Sequence, residues 1–334
     1  MNLPNDWLNL YFTPFSDVVF VRGKEDAAAY DFGRFALLPV PPVLCDVVEA
    51  LEEATCGEFV ASLPEDQQGL VAPYVAFLLR NDFGTLRKDR VAFRPLSREW
   101  DQSNELLSAQ LELSKHSDFD PHAVLRQITD RDCFQLEIRL ADNWTSIGAV
   151  EKLLEGIRGS TLRAVNVYLA SVAGWTKPEA EELFERHNKL LHLLGYGATV
   201  AVEKAYRPGV LKLTTDSQSE GAADRNHYQG RYIVNYHYFT EAQQFNPLLN
   251  RRVSVSEFGY WKNDLSYEHT FGHVAERPLT EVLSDPDFTA LWRVNADRIT
   301  DLKDSARRYA VWPAAPLIPI ADGSGLYTFS NSHS

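Results

Sequence analysis

The chain has 334 residues, 45% hydrophobic and 24% charged, the make-up of a folded protein with room for about two or three domains. Its formal net charge of −13 repels phosphate backbones and anionic lipid, which sets aside general nucleic-acid and membrane-surface binding. No apolar window of about 20 residues occurs, the start "MNLPNDWLNL" lacks the basic-then-apolar order of a secretory signal, and three widely spaced cysteines, Cys45, Cys56 and Cys133, fit a reducing cytoplasm without disulfides.

In chain order, residues 7–95 predict a small strand-then-helix unit. "DVVFVRG" and "AAAYDFG" flank a turn at Gly23–Asp26, and "RFALLPV" supplies a third strand. Pro41 and Pro42 open a helix carrying Val43, Val47, Val48 and Leu51, which Ala54–Gly57 breaks. "DQQGLVAPYVAFLLRND" places Leu70, Tyr74, Phe77 and Leu78 at helical spacing, and "FGTLRKDRVAF" closes the unit as a strand or wing. Arg87, Lys88 and Arg90 make a basic run there that reads as a solvated surface. Residues 96–130 read as a polar, largely helical connector with Leu106, Leu107, Leu111 and Leu113.

Strand and helix then alternate. "CFQLEIRL", "LRAVNVYLA" and "ATVAVEKA" read as strands; "IGAVEKLLEGIRG" and Thr176–Leu194 read as helices, the second with a capping box from Thr176 to Glu179 and a stop at Gly195. That order argues for parallel βαβ units. About three strands fit before residue 210, too few for a closed eight-unit barrel, so a partial βα barrel or open sheet is expected. "RYIVNYHYF", "RRVSVS" and "GYWKN" read as further strands, followed by short helices and loops, an apolar run Ala314–Ile320 and a disordered tail "SNSHS".

Catalytic signatures are missing. There is no GxxxxGK[ST], GxGxxG or GxSxG. His187 and His192 are five apart and lack a metal-binding helix spacing; His187 sits by an apolar stripe and reads as a packed histidine. Asp264, Glu268, His269 and His273 are close enough in sequence to form a hard-ligand cluster if their side chains converge.

"FTEAQQFNPLLNRRVSVSEFGYWKND" and "FGHVAERPLTEVLSDPDFTALWRVNADRITDLKDSARRY" carry a specific frame: an Asn and a basic pair before a hairpin ending Gly-x-x-Lys-Asn, a Phe-Gly turn, a Phe-x-x-Leu-Trp segment and a Lys-Asp near Arg-Tyr. The frame resembles the SPASM-domain peptide maturases of the grasp-with-spasm type, over residues 239–313. The resemblance implies a cluster-binding cysteine at Leu248, Asp264, Leu302, Ser305 and Val311, and none is cysteine here. Leucine and valine cannot ligate iron, so it implies a domain held by packing in place of a cluster, with Leu302 and Val311 buried near Trp292 and Tyr309. The middle region then resembles a degenerate radical-SAM half barrel without CxxxCxxC, and the N-terminal unit resembles a PqqD-like, winged-helix leader-recognition element of three strands and three helices.

Together these give an α/β chain in four parts: a peptide-recognition unit over 1–95, a connector over 96–130, a degenerate half barrel over 131–238, and a SPASM-like region with tail over 239–334. The resemblance implies a cytoplasmic, cofactor-free, non-catalytic partner in ribosomal peptide maturation. It would bind a precursor leader as an added strand along Arg34, Phe35, Ala36, Leu37 and Leu38, with Tyr74, Val75 and Leu78 supplying pockets. It would deliver the peptide to a catalytic enzyme such as an ATP-grasp ligase or a metal-dependent oxidase. The alternative is a peptide-modifying enzyme using the Asp264–His273 group as a non-cluster metal site.

Overall fold

The structure is a computed structural model; it describes residues 3–90, 93–141, 143–144, 146–217, 232–313 and 315–330. The N-terminal part runs β1 (Tyr11–Pro14), β2 (Val18–Arg22), β3 (Ala27–Asp31), β4 (Ala36–Val40), α1 (Val43–Glu53), α2 (Cys56–Ser62), α3 (Glu65–Gln68), α4 (Val71–Arg80) and β5 (Gly84–Arg87). The middle runs β6 (Ser108–Leu113), α5 (Pro121–Thr129), β7 (Gln135–Leu140), α6 (Ile147–Gly156), β8 (Ala164–Leu169), α7 (Lys177–Arg186), β9 (Leu190–Gly195), β10 (Val202–Tyr206) and β11 (Gly209–Leu213). The C-terminal part adds α8 (Tyr236–Gln244), β12 (Arg252–Val255), β13 (Trp261–Lys262), α9 (Leu279–Leu283), α10 (Pro286–Ala290), β14 (Leu317–Pro319) and β15 (Tyr327–Phe329).

The fold is α/β, and its centre is an open eight-stranded sheet in the order β10-β11-β9-β8-β7-β6-β12-β13. The six inner strands are parallel, and β10 and β13 close the edges antiparallel. From β6 to β9 the strands advance one place at a time, so right-handed crossovers put α5, α6 and α7 on the same face. Leu111, Leu113, Ile138, Val167 and Leu193 bury that face against Leu125, Leu153, Leu154 and Leu183 of the helices. No described helix is long and apolar enough to cross a membrane.

β2, β3 and β4 form a separate antiparallel sheet, and it is covered on both sides. Val18, Ala27, Ala29 and Val40 pack on α1 and α4 through Leu44, Leu51, Val75 and Leu78. Val21, Ala28 and Tyr30 pack on Phe239, Ala306, Tyr309 and Ala310 from the far end of the chain. Every residue of β3 is buried, and the three small side chains of Ala-Ala-Ala let both layers approach it closely. Tyr30 Oη donates to Ala306 O at 2.9 Å, Ala306 N donates to Asp26 Oδ1 at 2.8 Å, and Lys24 N donates to Asp304 O at 2.7 Å. Gly23 has no room for a side chain: a Cβ there would lie 2.6 Å from both Ala306 N and Asp304 O.

Several elements differ from their sequence reading. The connector contains β6, a central strand. The helix expected over Thr176–Leu194 has its capping box, but it ends at Arg186 and the rest is β9. The strand expected in "RYIVNYHYF" is largely α8, whose Asn235 cap accepts from Tyr238 N at 2.8 Å; Arg231 lies outside the described residues. The break at Ala54–Gly57 is short, because Thr55 and Glu58 form a capping box that starts α2. The expected wing is β5, which pairs with β1; Val91 and Ala92 lie outside the described residues, as do Ala314 and residues 331–334 of the tail.

Candidate functional site

β4 is an edge strand, bonded to β3 alone. Antiparallel pairs alternate between bonded and non-bonded, so one bond fixes the phase. Phe32 N donates to Asp17 O, which turns the groups of Tyr30 and Ala28 toward β2 and those of Asp31, Ala29 and Ala27 toward β4. On β4 the partners Ala36, Leu38 and Val40 therefore face inward, and Leu37 and Pro39 face outward. Pro39 has no N–H, consistent with that phase. The outer edge presents one amide, that of Leu37, and the carbonyls of Leu37 and Pro39.

The expected site residues fall into four groups. Arg34 is committed to structure: its guanidinium donates to Asn81 O at 2.8 Å and Asp82 O at 3.2 Å and pairs with Asp31 and Asp82, both at 3.4 Å. Val75 and Leu78 are 0% exposed and belong to the core, where no ligand reaches them without opening it. Tyr74 and Leu38 are half-buried against the same core, and Leu37 is half-buried toward the C-terminal layer. Ala36 is exposed. Phe35 is 72% exposed and sits at φ 54°, a left-handed conformation unfavourable for a bulky residue. A cleft of about 630 Å³ lies elsewhere, between Tyr11–Val19, Phe93–Arg98 and α8, and none of these residues lines it.

The five positions where the family's frame would carry cysteine have separate roles. Leu302 is buried with Val294, Ile299 and Leu317, and Val311 packs half-buried against them. Trp292 and Tyr309 are not part of that group; Trp292 meets Phe288 at 5.8 Å and Tyr309 lies under the N-terminal sheet. Leu248 is buried, and its N–H donates to Asn246 Oδ1 at 3.0 Å. Ser305 Oγ approaches Asp26 Oδ2 at 3.5 Å. Asp264 is buried and ion-paired with Arg252 at 2.9 Å, and its other oxygen accepts from Ser266 N and Oγ.

The hard-ligand cluster is not assembled. Asp264 is committed to Arg252 and Ser266, His269 packs edge-on to Phe271, and His273 lies 3.7 Å from Asp118. Among the described residues no three His, Cys, Asp or Glu side chains converge on a metal position. The cysteines are buried and unpaired; burial pushes the Cys56 thiol up to about 11 and the Cys133 thiol up to about 12, so neither is a ready thiolate. His187 is buried, and desolvation lowers its pKa.

One buried carboxyl has titration consequences. Burial raises Glu241 on α8 to about 7, against the opposing Asn250 Nδ2 donor at 2.8 Å and the charges of Arg251 and Arg252. Its folded pKa is above the ordinary 4.5, so its contribution to stability is complete below pH 4.5 and is lost as pH rises through about 7. We expect Glu241→Gln to match the parent near pH 4.5 and to be more stable by about 3 kcal/mol at pH 8. Denaturant titrations at the two pH values check this; equal stabilities at both would refute it.

Sequence reading missed the second face of the large sheet, which is polar. Pairing places Ser254, Gln110, Glu137, Asn166 and His192 in one row across β12, β6, β7, β8 and β9. Ser254 Oγ donates to Gln110 Oε1 at 2.8 Å, Gln110 Nε2 to Glu137 Oε1 at 3.3 Å, and Arg139 Nε to the same oxygen at 2.5 Å. The signal was present in "QLEIRL" and "AVNVYL": inner parallel strands covered on both faces are apolar throughout, and these carry polar side chains at alternate positions.

No protein-family profile matches the chain, and no curated protein matches it in sequence. Three solved structures of SuiB from Streptococcus suis resemble it weakly in shape. SuiB alone is 10% identical, with a TM-score of 0.38 over 90% of this chain and 94% of SuiB. SuiB bound to its precursor peptide SuiA is 9% identical, with a TM-score of 0.36 over the same 90% and 94% shares. SuiB bound to S-adenosylmethionine is 10% identical, with a TM-score of 0.34 over 84% of this chain and 89% of SuiB.

Proposed function

We propose that the chain is a peptide-capturing accessory protein of ribosomal peptide maturation. It holds a precursor leader along the outer edge of β4 and presents the precursor to a separate catalytic enzyme, an ATP-grasp ligase or a metal-dependent oxidase. The observation that carries this is Phe35, a largely exposed ring held in a left-handed conformation at the head of an edge strand. A strained exposed aromatic stabilises nothing in the free protein, which points to a contact made in a complex. Leu37 supplies the matching backbone groups, and Ala36 leaves space beside them. Support for the maturation context comes from the SPASM-like frame, with Leu302 and Val311 packed where the family would place thiolates.

Leu37→Pro tests the edge directly, because it removes the outward N–H and no bond to β3, while trimming a side chain half-buried against the C-terminal layer. With the full chain and the precursor peptides encoded beside it, we expect both Leu37→Pro and Phe35→Gly to weaken leader binding by about tenfold. Phe35→Gly should also relieve the left-handed strain and keep or raise the melting temperature. Calorimetric titration reads the affinities. Equal affinity for a scrambled leader, or unchanged binding by both folded variants, rules the edge out.

A further inference from the structure

The polar face of the large sheet carries a side chain that the fold does not use. Asn166 is 8% exposed, and its Oδ1 has no hydrogen-bond partner. Val165 and Val167 on either side of it are fully buried in the helix-covered core, so alternation sends Asn166 to the opposite face. Pairing sets it beside Glu137, about 4.8 Å away across the ladder. Glu137 Oε1 takes both Gln110 and Arg139, which leaves Oε2 for a further donor. The Glu137 and Arg139 side chains keep 20% and 14% of their surface open, so solvent reaches the row at Glu137.

Two acceptors thus belong to facing residues of neighbouring strands, one carboxylate and one amide oxygen. On β6, β7 and β8 this face carries two carboxylates, Glu112 and Glu137, against one cation, Arg139. An orphaned buried acceptor is costly to keep, and natural proteins retain such groups where a ligand completes them. We infer that Glu137 and Asn166 form a binding site for a guanidinium group. A guanidinium is planar, carries five N–H donors and no acceptor, and spans two neighbouring oxygens with two parallel N–H bonds. Ser254 and Gln110 fix Glu137 from one side and Arg139 from the other, so this carboxylate is held in place before the ligand arrives. The site lies on a different sheet from β4 and does not depend on the leader assignment.

The guanidinium could come from a free small molecule or from an arginine side chain. Agmatine and the peptide Gly-Gly-Arg-Gly-Gly distinguish these, with n-butylammonium and acetate as controls. In the full-length protein labelled with ¹⁵N, we expect the Asn166 side-chain amide signal to shift with agmatine, with the arginine peptide, or with both, and not with acetate. Calorimetry should show binding reduced about tenfold or more in Asn166→Val and in Glu137→Gln. Asn166→Val has a readout that a structural role would not share: removing an unpartnered buried amide leaves the melting temperature equal or higher. No shift at Asn166 with either guanidinium probe, an equal shift with acetate or n-butylammonium, undiminished binding by Asn166→Val, or a lower melting temperature for that variant would each overturn the inference.

Discussion

Phe239→Ala is expected to cost about 3–5 kcal/mol of stability. The ring is 1% exposed and meets Tyr30 at 4.9 Å, Phe32 at 5.0 Å and Tyr309 at 5.4 Å. It is the centre of the layer that joins the N-terminal sheet to the C-terminal segment, so its loss leaves a cavity between parts distant in sequence. Tyr30→Phe is the milder companion. It removes one buried hydrogen bond, that to Ala306 O, and should cost about 1–3 kcal/mol. Chemical denaturation gives both values. If Phe239→Ala lies within about 1 kcal/mol of the parent, the two parts are not held together through this ring.

Arg252→Ala is the second large effect, again about 3–5 kcal/mol near neutral pH, because it strands a buried carboxylate. Burial alone would raise the pKa of Asp264; the Arg252 charge and the Ser266 hydrogen bonds outweigh it and hold the carboxyl below its ordinary 3.8. The parent therefore keeps this stabilisation above that ordinary value and loses it as pH falls through the lower folded value. In Arg252→Ala burial is opposed by the Ser266 hydrogen bonds alone, which raises the pKa, so the carboxyl protonates earlier and the deficit shrinks on acidification. The double variant Arg252→Met with Asp264→Leu should recover much of the loss, since an apolar pair leaves no charge unpaired. Melting curves across pH separate the outcomes, and a deficit that does not vary with pH contradicts the assignment.

Where periodicity was decisive, the sequence was legible. "QLEIRL" and "AVNVYL" are β7 and β8, and the Thr176 capping box starts α7 where expected. "LLHLLG" was not legible as β9, because a short apolar run fits a buried strand and a helix end equally. "SAQLEL" alternates cleanly as β6, but the neighbouring Leu106 and Leu107 blurred the period. The aromatics of "YHYF" suggested a strand; the Asn235 cap and packing against Ala306 and Tyr309 decided for α8, and the latter contact is invisible locally. The candidate edge was partly legible. Its strand is where the sequence placed it, but the burial of Val75 and Leu78 and the anchoring of Arg34 depend on tertiary packing. The row through Asn166 depends on register between strands, which no single strand encodes.

The two-sided burial of β3 bears on how the protein is made. Tyr30 and the carbonyl of Ala306 that it binds are 276 positions apart. A ribosome adding about 5–20 residues per second needs about 15–55 s to travel that distance. Until α8 is made Val21, Ala28, Tyr30 and Phe32 have no covering layer, and until Ala306 and Tyr309 follow that layer is incomplete, although the helices on the other face can already be in place. Contacts of such long range also slow folding after release. The nascent chain is thus a sheet with one finished and one bare face, a state that holdase chaperones protect and that truncated products would never leave.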